Sequence, residues 1–199
     1  MTDSKNHSAE KSGFNRRDFL RGSGAAAAAT ALHAQSEAAA QDQGPAVISG
    51  EQSIYLNVNG QNHAVKAEPR TTLLDVLRYQ LDLTGAKPVS LDGSSGASTV
   101  LIDGKPVMAS TTLAMAARGK EIQTVESLAG DAVPRAFVDN DAQQCGFCTP
   151  GFVVAVRAFL NKNPSATEEQ IRKGLDGNIC RCGTYAQIVQ AAIQVAQGG

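Results

Sequence analysis

Hydrophobic and polar positions alternate over residues 53–67. Ile54, Leu56 and Val58 share one face, Asn59-Gly60 interrupts, and Val65 and Ala67 resume the apolar side. Asn-Gly between alternating runs signals a hairpin, because the tightest two-residue turns need positive φ at both centres. His63, in the second strand, reads as a surface residue. From residue 73 the period becomes helical: Leu73, Leu74, Leu77 and Leu81 fall on one face. Thr72 offers a capping hydroxyl and Asp75 puts an acid in the first turn. Gly85 reads as the end of that element. A Ser/Gly-rich loop follows over 88–98. Thr99–Ile102, Asp103-Gly104 and Lys105–Met108 predict a second hairpin, and Glu121–Glu126 a further short strand.

The rest of the chain reads as helical. Thr149-Pro150 predicts a cap followed by proline at the first helical position, where a missing N–H costs nothing. The helix it opens carries Val153, Val154, Val156, Ala158, Phe159 and Leu160, runs to about Asn161, and is broken by Pro164. Thr167 with Gln170 forms a capping box for a helix through Leu175, stopped by Gly177-Asn178. A last helix runs from Tyr185 to Ala196, with Ile188, Val189, Ala192 and Ile193 on one side. The expected fold class is α+β, with a β-grasp domain over 53–130 and a domain of two antiparallel helix pairs over 131–199.

Residues 1–40 read as an address rather than as fold. Arg16-Arg17 precedes Phe19-Leu20, then Gly22-Ser23-Gly24 and the run Ala25–Ala29, in the order of a twin-arginine export signal. Ala38-Ala39-Ala40 supplies small residues for cleavage near Gln41, and 41–52 is a flexible lead-in. This implies a periplasmic protein that folds before export.

Charge narrows the classes. Lys plus Arg is 18 and Asp plus Glu is 19 in 199 residues, a net charge of −1. Such a chain has no basic face for nucleic acid. No run of about 18 apolar residues exists, so no membrane span is expected.

The chemistry lies in four cysteines, all after residue 144: Cys145-Gly146-Phe147-Cys148 and Cys180-Arg181-Cys182. Each pair sits at a helix terminus. With His63 the one histidine beyond the leader, four thiolates suit an iron–sulfur cluster or a zinc site. Disulfides are the ordinary alternative in an oxidising compartment, though Cys180-x-Cys182 would close a strained ring. C-x-C is an unusual spacing for zinc.

Gln144-Cys145-Gly146-Phe147-Cys148-Thr149-Pro150-Gly151 and Gly177-Asn178-Ile179-Cys180-Arg181-Cys182 together resemble the small iron–sulfur subunit of molybdenum hydroxylases, the xanthine oxidase and aldehyde oxidoreductase family. Cys182-Gly183-Thr184-Tyr185 and the leader are most similar to periplasmic aldehyde oxidoreductases. The resemblance covers roughly 53–196. It implies a large partner subunit that holds molybdopterin and hydroxylates substrate, and a [2Fe-2S] cluster in the helical domain on Cys145, Cys148, Cys180 and Cys182. It also implies a second, plant-type cluster in the β-grasp domain, and usually a flavin subunit as acceptor. Gln144 and Cys182 match positions that lie against the partner's pterin.

The sequence departs from this family where the plant-type cluster would bind. The C-x4-C-x2-C positions and the later cysteine are Ser90, Ser95, Ser98 and Ser110, with the spacing intact. Val89 replaces a glycine, and Asp131–Arg135 lacks a histidine-proline element. Serine hydroxyls ionise poorly and bind reduced iron less well than thiolates, so the β-grasp domain is expected to hold no cluster. The chain is expected to pass electrons through one [2Fe-2S] cluster, to a cytochrome c or a flavin subunit. A non-redox structural or maturation subunit and a zinc-stapled binding module are the alternatives. No acid–base pair or nucleophile with its base is recognisable, so no catalytic residue is expected on this chain.

Overall fold

The computed structural model describes Arg17 and residues 47–198. The leader apart from Arg17, its expected cleavage site and residues 41–46 of the lead-in lie outside the described residues. Residues Ser49–Gly199 form one compact unit.

Strands β1 (Gln52–Val58) and β2 (Gln61–Ala67) pair antiparallel with Val58 opposite Gln61. The turn is Asn59-Gly60, at φ 52° and 79°. Both central residues are left-handed, so Asn and Gly are the residues that fit. Ile54, Leu56, Val58, Val65 and Ala67 are buried on one face, while Tyr55 is exposed on the other. His63 lies opposite Leu56.

Helix α1 spans Leu73–Tyr79. The Thr72 hydroxyl accepts from the Asp75 N–H at 3.1 Å and donates to its carboxylate at 2.6 Å. The helix stops earlier than its apolar pattern suggests. Gln80 turns to the edge strand: its Oε1 accepts from Lys66 N–H at 3.0 Å and its Nε2 donates to Lys66 O at 2.7 Å. Leu81 N–H donates to Val76 O at 3.1 Å, so Leu81 packs on the core from a wrapped C-terminus. Gly85 does not end the helix. A Cβ there would meet Val125 Cγ1 at 2.2 Å, and its N–H donates to Glu126 Oε1 at 2.8 Å. Glycine is required by that close approach.

Strands β3 (Thr99–Ile102) and β4 (Lys105–Met108) form the second hairpin, turning at Asp103-Gly104. Strand β5 is only Glu121–Gln123. It runs parallel to β1 and antiparallel to β3, giving the order β2-β1-β5-β3-β4. The expected strand to Glu126 is cut short because the Asn59 side chain captures Thr124. Asn59 Nδ2 donates to Thr124 Oγ1 and Thr124 N–H to Asn59 Oδ1, each at 2.9 Å. A 3₁₀ turn, Val125–Leu128, follows.

Four helices complete the chain: α2 (Ala132–Asp139), α3 (Thr149–Lys162), α4 (Glu168–Gly174) and α5 (Tyr185–Ala196). The hydrophobic pattern does not single out α2. Asp131 caps it, accepting from Val133 N–H at 2.8 Å, and Pro134 falls in the first turn, where no N–H is needed. Asp131 also accepts from Arg157 Nε at 3.2 Å and Nη2 at 2.8 Å. Cys148, not Thr149, occupies the cap of α3, which puts Pro150 one place later than expected. The capping box of α4 is present as read, with both Thr167–Gln170 bonds made. That helix ends at Gly174, not Leu175, where a Cβ would lie 2.3 Å from the Phe159 ring.

One core lies between the sheet and α1, and a second among α2–α5. Leu101, Val154 and Ala158 join them. Because α3 covers its outer side, β3 is buried at all four positions.

Candidate metal centre

Two loops carry the cysteines. The first joins α2 to α3. Asp141 at φ 49° and Gly146 at φ 83° turn it, and Ala142 N–H donates to Phe137 O at 2.9 Å. Cys148 ends it at the α3 terminus, its carbonyl accepting from Phe152 N–H at 3.0 Å. The second loop joins α4 to α5. Asn178 N–H donates to Leu175 O at 3.1 Å, and Gly183 at φ 81° turns the chain into α5.

Cys180 is the most constrained of the four. Its N–H donates to Tyr185 Oη at 2.8 Å, and the Tyr185 ring stands edge-on to Phe152 at 6.1 Å. Its sulfur lies 3.2 Å from the buried Thr184 hydroxyl. Spacing could not have shown the parts played by Thr184 and Tyr185, which face Cys180 across the first turn of α5.

All four cysteines are free: Cys180 is buried, Cys148 half-buried, and Cys145 and Cys182 are exposed. Burial pushes the Cys148 thiol up to about 12, helped by the Cys180 thiol and by charge on Cys180 and Cys145. Burial also opposes the Cys180 thiolate. There the Thr184 hydroxyl and N–H, the Cys148 thiol and the Gly183 N–H outweigh it and bring the group down to about 7. Cys182 receives the Cys145 N–H, which favours its thiolate. The Cys145 thiol, burial and charge on Cys145 and Cys180 together outweigh that donor and raise it. The Cys148 and Cys180 thiols thus influence each other, as do those of Cys182 and Cys145, and charge couples Cys148 to Cys145 and Cys182 to Cys180 as well.

Among the described residues, no three His, Cys, Asp or Glu side chains converge on one point as they would around a single ion. Four free thiols from two loops are the donor set that a [2Fe-2S] cluster takes. Gln144 is exposed beside Cys145, and Phe147 is 59% exposed. Cys145 and Cys182 therefore open on the surface while Cys180 is covered.

The four serines are brought together in pairs by hydrogen bonds. Ser90 Oγ lies 2.7 Å from Ser95 Oγ, and Ser98 Oγ lies 3.0 Å from Ser110 Oγ. Ser98 and Ser110 are 2% and 6% exposed. The plant-type cluster does not fit these residues. Their oxygens are neutral, poor ligands for iron, and already satisfied by one another.

Comparison with known proteins agrees with the centre. Residues 124–193 match the [2Fe-2S] binding domain family. Residues 13–33 match the twin-arginine translocation signal, which directs export to the periplasm. The chain is 40% identical over 148 residues to the nicotinate dehydrogenase small FeS subunit of Eubacterium barkeri, covering 72% of this chain and 94% of that one. It is 36% identical over 204 residues to the aldehyde oxidoreductase iron-sulfur-binding subunit PaoA of Escherichia coli O157:H7, covering 93% and 89%. The crystal structure of quinoline 2-oxidoreductase from Pseudomonas putida 86 superposes with a TM-score of 0.70 at 37% identity, covering 76% of this chain and 99% of that one.

Proposed function

Because the chain belongs to the iron–sulfur subunits of the molybdenum hydroxylase family and is a subunit of an oxidoreductase, we propose that it serves in the periplasm as a one-cluster electron carrier beside a large molybdopterin subunit. Its β-grasp half, 53–130, and four-helix half, 131–199, would each keep a core of their own. Only the second would hold a cofactor.

The observation that carries this reading is that all four cysteines are free and stand on the two loops that lead into α3 and α5. Cys145, Cys148, Cys180 and Cys182 would hold a [2Fe-2S] cluster, which would also tie the two loops together. A [2Fe-2S] cluster held there supplies a one-electron store. The chain's own residues do the rest. The Thr184 hydroxyl donates to the Cys180 sulfur, and the Tyr185 hydroxyl holds the Cys180 backbone. Both fix the ligand and set its electron density. Exposure of Gln144 and Cys182 supports their placement against the partner's pterin. No candidate nucleophile or acid–base pair accompanies them, so oxidation of substrate belongs to the partner. With no second cluster on Ser90, Ser95, Ser98 and Ser110, electrons leave from the single centre to a cytochrome c or a flavin subunit.

The test is anaerobic purification with the products of the neighbouring reading frames, followed by iron, sulfide and zinc counts and EPR of the substrate-reduced state. About two irons per chain and one [2Fe-2S] signal are expected. About four irons and two signals would reject the reading of the serines. Zinc without iron, or a cluster that substrate never reduces, would reject electron transfer.

A further inference from the structure

The serine-bearing loop does more than lack ligands. It touches both of the elements that hold Cys148 and Cys180. Ser95 O accepts from Ile179 N–H at 3.0 Å, one residue before Cys180. Gly96 O accepts from the buried Asn178 Nδ2 at 2.9 Å. On the other side a Cβ at Gly151, three residues after Cys148, would lie 2.3 Å from Gly96 O. A Cβ at Gly96 would lie 2.5 Å from Gly177 O. The loop is thus wedged between the first turn of α3 and the segment that leads into Cys180.

What keeps the wedge in shape is the serines. Ser95 N–H donates to Ser90 Oγ at 2.9 Å, and the two hydroxyls are bonded to each other. That bond holds the carbonyl that receives Ile179. At the far end Ser110 N–H donates to Ser98 Oγ at 3.3 Å, and Ala109 N–H donates to Ser98 O at 3.0 Å. The buried Ser98–Ser110 couple therefore ties the start of β3 to the exit of β4. Thr99 Oγ1 adds a donor to Gly96 O at 2.6 Å. Buried hydroxyls stabilise a fold only when partnered, and all four of these are partnered within the loop system.

We propose that the loop is a metal-free strut for the remaining metal centre, with Ser90, Ser95, Ser98 and Ser110 as positioning residues that fix the Ile179–Cys180 segment against the α3 terminus. This rests on the reading that the four serines bind no iron. Hydrogen-bonded couples do here, as crosslinks, what a cluster would otherwise do for the same loop. The consequence is specific: changing a serine that touches no sulfur alters the electronic signature of a cluster on the other half of the molecule.

The experiment uses the complex purified with its large subunit. Ser90→Ala removes the acceptor of the Ser95 N–H. Ser90→Thr keeps the oxygen at a position that is half-exposed. Asn178→Ala cuts the same contact from the cysteine side. Iron per chain, EPR g values, midpoint potential and thermal midpoint are read for each. Expected are two irons per chain throughout, shifted g values and potential in Ser90→Ala and Asn178→Ala, near-native values in Ser90→Thr, and a less than additive shift in the double variant. Should Ser90→Ala fail to accumulate, Asn178→Ala with Ser90→Thr decides the question alone. Two irons with g values and potential indifferent to every variant overturn the strut and leave the one-cluster reading standing. Four irons in the unsubstituted protein overturn that reading, and the strut with it.

Discussion

At the residue scale, the centre depends on which groups face each sulfur. Thr184→Val keeps the shape of a buried side chain but removes the donor 3.2 Å from Cys180 Sγ. A donor to sulfur stabilises the more negative, reduced state, so its loss lowers the potential. A net hydrogen bond of about 1 kcal/mol corresponds to a shift of about 40 mV for one electron. Redox titration followed by EPR checks this, and an unchanged or raised potential would contradict it. Gly151→Ala tests the wedge sterically. Its Cβ would sit 2.3 Å from a carbonyl oxygen that three donors hold in place. Overpacking of this kind costs about 1–3 kcal/mol, so the thermal midpoint should fall while the four cysteines stay in place. Both residues lie in the motifs read from the sequence, but their contacts with Cys180 and Gly96 do not follow from spacing.

Caps and close approaches decide where the elements end. Thr167→Ala removes the hydroxyl that accepts from Gln170 N–H at 3.3 Å, one of the two bonds of the box that opens α4, a loss of about 1 kcal/mol, measurable as a lower midpoint in chemical denaturation. Asp131→Ala should cost more. That carboxylate caps α2 and also pairs with Arg157, the two side chains being only 23% and 20% exposed. About 2 kcal/mol is expected from a lost cap together with an unpaired, partly buried guanidinium. The hairpin turns and the Thr167 box were legible because their signals are local. The end of α1 and of β5 was not. Both are set by side chains from elsewhere in the chain: Gln80 bonded to Lys66, and Asn59 bonded to Thr124.

For the whole molecule, function depends on export of a folded, cofactor-bearing subunit. The leader matches the twin-arginine family over 13–33. Replacing Arg16 and Arg17 together by lysine should leave the precursor in the cytoplasm, its cluster intact, as cell fractionation with immunoblotting would show. Appearance of mature protein in the periplasm at normal levels would contradict the assignment of the route. Among the described residues no helix is long and apolar enough to cross a membrane.

The sequence by itself determined what is short-range or compositional. Period-two and helical runs specify the hairpins and three of the four C-terminal helices, and the leader specifies the destination. The proposed ligand set and the proposed lost site at the four serines were also read from motif spacing alone. The tertiary structure decided the rest, because the remaining facts are about partners far apart in the chain. It set the Thr184 hydroxyl and Tyr185 Oη against Cys180, which no spacing reveals. It turned four unremarkable hydroxyls into two bonded couples. It also set Gly96, 82 residues before Asn178, against the loop that leads into Cys180. Such contacts arise only when the two cores close on each other and polar groups losing water must find one another.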